Sequence, residues 1–171
     1  MIFRKAEKED FDKIRSLYWT LIDQEQDDPS FPHWKKGIHP SDEMIQNSIG
    51  REELYVLVDG GEIAACVIAN NEKVDGYSDA PWQIDSEKVI VLHVLAVNPG
   101  QRGKRLARRL VENVIELERK AGRKALRLDV IENNTTAEKL YQKLGFQYVQ
   151  TKTLYYDVVG KMTFKLYELV L

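Results

Sequence analysis

Several features are scarce in this sequence, and each absence narrows the class of protein. Of its 171 residues only Cys66 is a cysteine, so no disulfide within the chain and no cysteine-based metal cluster can form. No two histidines and a carboxylate share ligand spacing, so we expect no metal. No apolar run approaches the roughly 20 residues that cross a bilayer, and the charged start MIFRKAEKED is unlike a signal peptide. We therefore expect a cytoplasmic protein that does not bind membranes.

Excess charge of one sign is also missing. Lys and Arg number 25 and Asp and Glu number 27, which gives a net charge of -2. This balance argues against a protein that coats nucleic acid, although a local basic patch could still contact it. Hydrophobic residues make up 43% and charged residues 30% of the chain, which is typical of a globular protein. The length and composition predict a single domain over 1–171.

The spacing of apolar residues predicts a mixed α/β fold, with a central sheet of six to seven strands flanked by four helices. The nearly continuous apolar run VIVLHVLAV is typical of a strand covered on both faces. The predicted strands are 2–5, 54–58, 62–69, 89–97, 125–130, 146–151 and 161–170. The predicted helices are 7–26, 41–48, 103–121 and 135–145, with Ser41 as one cap and a capping box at 135–138 as another.

The turn between strand 89–97 and the next helix is the most informative segment. A helix N-terminus presents unpaired N–H groups and partial positive charge, and glycine lets a phosphate approach the backbone. Five basic residues surround Gly103, namely Arg102, Lys104, Arg105, Arg108 and Arg109. The spacing matches neither a P-loop nor a GxGxxG motif. From these residues alone two interpretations stay open, an anion site and a solvated basic helix face.

A second segment, 134–146, reads NTTAEKLYQKLGF. Together the two segments resemble the GCN5-related N-acetyltransferase (GNAT) superfamily. That family has the phosphate motif Q/R-x-x-G-x-G/A after a strand ending in L-A-V, and here Leu95-Ala96-Val97 precedes Arg102 to Ala107. The family's N-x-x-A-x-x-L-Y-x-x-x-G-F signature is met in full at 134–146. The stretch WKKGIHPSD is also similar to bacterial single-domain members with no assigned substrate.

The resemblance implies an acetyltransferase that moves an acetyl group from acetyl-coenzyme A (acetyl-CoA) to an amine of a small molecule. It implies a cofactor cleft between strands 89–97 and 125–130. The cofactor-binding residues would be Leu95, Val97, Arg102, Gly103, Lys104, Arg105, Leu106, Ala107 and Asn134. Arg105 departs from the family, which usually has glycine there. We expect Arg105 to offer its backbone N–H in a helical conformation, with its side chain turned away or wrapped around the phosphates.

Two side chains are candidates for proton transfer. A leaving thiolate needs a proton, and a tyrosine still holds one at neutral pH. The resemblance makes Tyr141 the candidate acid, although its helix face also suits a core tyrosine. His93 is a candidate base because histidine titrates near neutrality. A buried, hydrogen-bonded histidine is the other interpretation of His93, and many members of the family use water chains instead.

The acceptor pocket of this family is usually built from the stretches that correspond to 23–40 and 70–86. Acidic residues there could attract a cationic amine, and indole faces could hold it. The candidate substrate-binding residues are Trp34, Trp82 and Asp85. The alternative is an acidic surface on which tryptophans pin long loops.

Three other functions stay open. The chain could bind an acyl-CoA without catalysis, contact nucleic acid through 102–109, or acetylate an amine of a protein or peptide. We expect no sequence-specific nucleic-acid binding because of the net charge. The sequence leaves the oligomeric state open, with a homodimer as one option.

Overall fold

The computed structural model describes residues 1–72, 74, 76–156 and 160–171. Within them lie seven strands: β1 (Ile2–Lys5), β2 (Leu54–Asp59), β3 (Glu62–Asn70), β4 (Val89–Val97), β5 (Ala125–Ile131), β6 (Gln147–Tyr156) and β7 (Gly160–Val170). The four α-helices are α1 (Phe11–Glu25), α2 (Asp42–Gly50), α3 (Leu106–Lys120) and α4 (Thr135–Lys143). The strand order is β1-β2-β3-β4-β5-β7-β6, which confirms the predicted mixed α/β class.

The chain divides into two compact units. The first unit comprises Met1–Asp28, Trp34–Ala69 and Leu92–Val114, and the second comprises Pro29–His33, Asn70–Val91 and Ile115–Leu171. Strand β4 thus gives its first three residues to the second unit and the rest to the first. The single domain over 1–171 stays a prediction.

The first unit is built on an antiparallel meander of β1, β2 and β3. Helix α1 buries one face, with Ile14, Tyr18 and Ile22 in the core. Ser41 caps α2 as predicted, because its hydroxyl accepts a hydrogen bond from the Met44 N–H at 3.0 Å. Helix α1 starts later than predicted, since Lys8–Asp10 form a separate 3₁₀ turn.

Cys66 lies in β3 of this first unit and is 0% exposed. Burial raises the pKa of its thiol to about 12, because the thiolate is poorly solvated there. The neighbouring Tyr18 side chain partly opposes this rise in the pKa. Cys66 is therefore a core residue.

The second unit is built on β5, β7 and β6, which pair antiparallel in that order. The start of β4 pairs parallel with β5 from Val89↔Ala125 to Val91↔Arg127. Strand β6 is longer than the predicted 146–151, because its pairing with β7 continues to Tyr156↔Gly160. Among the residues described, no helix is both long and apolar enough to cross a membrane.

Candidate active site

The turn after β4 is held by Asn98 in the first unit. The Asn98 N–H donates to the Ala64 carbonyl at 2.9 Å, which ties the end of β4 to β3. The Asn98 side-chain oxygen accepts a hydrogen bond from the Gly100 N–H at 3.0 Å. Pro99–Gln101 then form one 3₁₀ turn. The backbone is therefore fixed before it reaches the residues predicted to hold phosphate.

Helix α3 begins at Leu106, three residues after the predicted start at Gly103. The helix cannot start earlier because the backbone is left-handed at two positions before it, with φ of 83° at Gly103 and 56° at Arg105. The expectation that Arg105 is helical is therefore wrong. The Arg105 carbonyl still accepts the first bond of the helix, from the Arg109 N–H at 3.1 Å. A change of hand from one residue to the next turns successive N–H groups to one side, which suits an anion.

The left-handed backbone also explains why glycine is usual at position 105 in the family, since glycine adopts it without steric cost. In other residues Cβ then crowds the following carbonyl oxygen, at a cost of about 1–2 kcal/mol. Arg105 adopts this strained conformation. Its side chain is exposed.

We expect Arg105→Gly to leave the melting temperature unchanged or to raise it. Relief of the left-handed strain offsets the flexibility that glycine adds to the unfolded chain. Arg109→Gly is the matched control, because Arg109 is exposed but lies inside α3. That control should lose about 1 kcal/mol of stability. Thermal unfolding of both variants checks this, and equal losses would contradict it.

The basic side chains of the turn are partly neutralised within the first unit. Arg102 pairs with Glu25 at 2.5 Å, and Lys104 lies 3.5 Å from Asp59. Arg108 pairs with Glu112 one helical turn away at 2.7 Å. These acids weaken the positive field that the sequence alone suggests. Backbone N–H groups therefore carry more of any anion binding than the five cations imply.

The burial of strand β4 decreases from His93 onward. Residues 89–92 are buried, whereas His93, Val94, Leu95 and Val97 are half-buried. Val94 also has a left-handed φ of 46°, which is unusual for a β-branched residue. The predicted pantetheine-binding residues Leu95 and Val97 thus follow an irregularity in the strand.

Tyr141 lies on α4 in the second unit and is 7% exposed. Its ring contacts Phe146 edge-on, with 5.5 Å between ring centroids. Burial raises the pKa of the Tyr141 hydroxyl well above its usual value, and the nearby charge of Asp129 raises it further. Tyr141 therefore keeps its proton over the whole physiological range, whether it acts as an acid or only as a core residue.

Asn134 is the N-cap of α4. Its side-chain oxygen accepts a hydrogen bond from the Ala137 N–H at 3.0 Å. The predicted capping box at 135–138 is therefore wrong by one residue, because Glu138 instead accepts bonds from Lys165 at 2.9 Å and from Tyr167 at 3.1 Å. Asn134 is thus fixed by the start of the helix.

Asp129 is a residue of interest that sequence reasoning missed. The sequence predicts only a strand over 125–130, whereas Asp129 is half-buried and accepts a hydrogen bond from the Tyr77 hydroxyl at 2.8 Å. Burial raises the pKa of the Asp129 carboxyl, and the bond from Tyr77 partly opposes that rise. No signal in the sequence links Asp129 to Tyr77, which is 52 residues away.

We expect Asp129→Asn to stabilise the protein at neutral pH. The folded-state pKa of Asp129 lies above its unfolded value, so wild type loses stability as pH rises through the folded pKa. Asparagine does not titrate and can still accept the Tyr77 bond. The advantage of the variant should grow between about pH 4 and pH 7 in melting experiments. Asp85→Asn, at an exposed site, is the control. A less stable Asp129→Asn protein at pH 7 would contradict the prediction.

The predicted substrate residues lie in different surroundings. In the first unit Trp34 is half-buried, and its ring packs edge-on against Tyr18, with 5.7 Å between centroids. In the second unit Trp82 donates its indole N–H to the Tyr77 carbonyl at 2.7 Å, and the Arg127 guanidinium lies 4.2 Å from its ring centre. One face of Trp82 is thus occupied. Asp85 is exposed, and the substrate roles of all three residues stay predictions.

The candidate residues fall in both units. The first unit holds His93, Leu95, Val97, Trp34 and residues 102–107, and the second holds Tyr141, Asn134, Trp82 and Asp85. Among the described residues, no group of three or more His, Cys, Asp or Glu side chains could hold a metal ion.

Solved structures of acetyltransferases share this fold. A GNAT-family acetyltransferase from Listeria monocytogenes is 25% identical, with a TM-score of 0.76 over 99% of this chain and 94% of that one. A Salmonella typhimurium protein solved with its cofactor acetyl-CoA is 17% identical, with a TM-score of 0.72 over 99% of this chain and 93% of that one.

The model of the acetyltransferase (GNAT) family matches residues 9–146, and the chain belongs to this family. The match confirms the resemblance seen in the two sequence segments. An uncharacterized protein from Mycobacterium leprae is 35% identical over 69 residues, which are 40% of this chain. Those residues span only 18% of that relative's length.

Proposed function

We propose that the protein transfers an acetyl group from acetyl-CoA directly to a primary amine of a small molecule. The observation that carries this proposal is the turn before α3, where left-handed Gly103 and Arg105 prepare a row of backbone N–H groups for an anion. Family membership over residues 9–146 supports the same chemistry. Acetyl-CoA supplies the acetyl group as a reactive thioester.

The turn fits the diphosphate of acetyl-CoA. A Cβ built at Gly103 would meet no atom within 4 Å, so the space beside this backbone is open. We assign the diphosphate to the backbone of Arg102 to Ala107, and the pantetheine arm to Leu95, Val97 and Asn134.

We assign the role of acid to Tyr141. During transfer the amine nitrogen bonds to the acetyl carbon, the carbon–sulfur bond breaks, and the departing sulfur takes up a proton. A tyrosine still holds its proton at neutral pH and can deliver it to the departing thiolate. The family signature at 134–146 supports this role.

We assign the removal of a proton from the incoming amine to His93. Histidine titrates near neutral pH, and His93 lies two residues before Leu95 on the half-buried part of β4. Trp34 and Asp85 remain our candidates for holding the acceptor. Trp82 is a weaker candidate, because Arg127 already covers one face of its ring.

A turnover screen tests the proposed function. Release of free coenzyme A is measured with acetyl-CoA and a panel of small mono- and diamines beside short peptides. We expect turnover with at least one small amine and little with peptides. Turnover of peptides alone would favour a protein acetyltransferase. Binding of acetyl-CoA in calorimetry without turnover of any amine would favour a non-catalytic module.

A further inference from the structure

The irregularity in β4 is held from one side by a buried side chain. The Tyr18 hydroxyl of α1 donates a hydrogen bond to the Val94 carbonyl at 2.7 Å, across 76 residues of sequence. Val94 is the residue with the left-handed φ of 46°. A β-branched residue rarely adopts this conformation unless its surroundings impose it. The bond from Tyr18 acts directly on the carbonyl of that residue.

Tyr18 is well placed to impose the conformation. It is 1% exposed, and its ring packs against Trp34. Burial raises the pKa of the Tyr18 hydroxyl well above its usual value, so the group stays a donor at every physiological pH. Tyr18 is therefore a fixed hydrogen-bond donor to the Val94 carbonyl, and we call this bond the anchor.

The anchor has a consequence for the next residue. In a planar trans peptide the carbonyl and the following N–H point in opposite directions. Because the Val94 carbonyl points at Tyr18 on α1, the Leu95 N–H points away from that helix. The orientation of this one amide therefore depends on a bond made by Tyr18.

We propose that Tyr18 is a positioning residue for acetyl transfer, which holds the Val94–Leu95 peptide so that the Leu95 N–H can donate to the acetyl oxygen. Negative charge gathers on that oxygen as the amine attacks, and a fixed donor stabilises the charge at no cost of reorganisation. The inference rests on the proposed function. It adds a buried residue of α1 that acts through the Val94–Leu95 peptide.

Tyr18→Phe tests the inference, because it removes the hydroxyl and keeps the ring. We expect kcat to fall by about tenfold to a hundredfold, since a misplaced donor costs part of the 10²–10³ lost when one is removed. The dissociation constant of acetyl-CoA should change less than about threefold, because the diphosphate turn is intact. Tyr55→Phe, at a buried tyrosine of β2 in the same unit, is the control and should leave kcat unchanged.

A second measurement needs no substrate. In ¹⁵N-labelled protein the resonance of the Leu95 amide should shift in Tyr18→Phe but not in Tyr55→Phe. An unchanged chemical shift of the Leu95 amide would show that Tyr18 does not hold this peptide. A changed shift with a wild-type kcat would show that the orientation of this peptide does not matter for catalysis. If the wild-type protein acetylates no amine, the proposed function fails, and with it the catalytic role of Tyr18. The amide measurement would still show whether Tyr18 holds the Val94–Leu95 peptide.

A rescue variant guards against a general folding defect. Glycine adopts the left-handed conformation freely, so Val94→Gly in the Tyr18→Phe background should restore part of kcat. A double variant slower than Tyr18→Phe would overturn the inference, because the lost bond would then matter for something other than the conformation of Val94.

Discussion

Tyr141→Phe should lower kcat by about 10²–10⁴, the usual loss for a general acid. The change removes one hydroxyl and keeps the ring that packs on Phe146. Stability should fall by no more than about 0.5–1.5 kcal/mol, the contribution of one hydrogen bond. Acetyl-CoA affinity should barely change. Steady-state kinetics with an accepted amine, calorimetry and thermal unfolding measure the three quantities.

The control for Tyr141 is Tyr155→Phe, which removes a hydroxyl from a residue of the same unit that is 71% exposed. This variant should match wild type in every assay. Because water can partly replace a lost acid, the fall in kcat for Tyr141→Phe can lie at the lower end of the range. A wild-type kcat in Tyr141→Phe, with turnover insensitive to solvent viscosity, would leave Tyr141 as a core residue.

Gly103→Val should weaken acetyl-CoA binding by about tenfold or more. Valine is strongly disfavoured at a φ of 83°, so the turn must carry about 1–2 kcal/mol of strain or rearrange its N–H groups. Its methyl groups would also enter the open space beside Gly103 that we assign to phosphate. Lys104→Ala should cost less than about fivefold, because one solvated charge contributes little. Calorimetry at two salt concentrations measures both.

Gly122→Val separates strain from binding. Gly122 lies just beyond the other end of α3, with a φ of 74° and no atom within 4 Å of a built Cβ. This variant should lose stability and keep its affinity for acetyl-CoA. If Lys104→Ala weakened binding more than Gly103→Val, side chains rather than backbone amides would hold the diphosphate.

Much of the fold could be predicted because apolar periodicity reflects burial directly. The first half of β4 (89–92) and the buried face of α1 are examples in which a local pattern matches the packing. The start of α3 could not be predicted in this way. Arginine favours helices, so nothing local indicates that Arg105 adopts a left-handed conformation. The family resemblance implies that glycine is usual there, and the left-handed backbone gives the physical reason.

The candidate site residues come from contiguous motifs, whereas contacts between residues distant in sequence were missed. The turn at 102–107 and the segment at 134–146 are continuous in sequence. Tyr18 and Val94 are 76 residues apart, and Tyr18 in the sequence looks like any apolar residue of an amphipathic helix. Tyr77 and Asp129 are 52 residues apart. Side-chain contacts at such separations leave no periodic signal.

Because the Cys66 thiol is buried, the folded protein should not react with thiol reagents. Such reagents attack the thiolate, which is scarce when the pKa is about 12 and the sulfur is shielded from solvent. Colorimetric detection of released coenzyme A should therefore proceed without a background from the enzyme itself. The labelling rate of Cys66 can therefore serve as a probe of local unfolding, because the thiol reacts only when β3 becomes exposed.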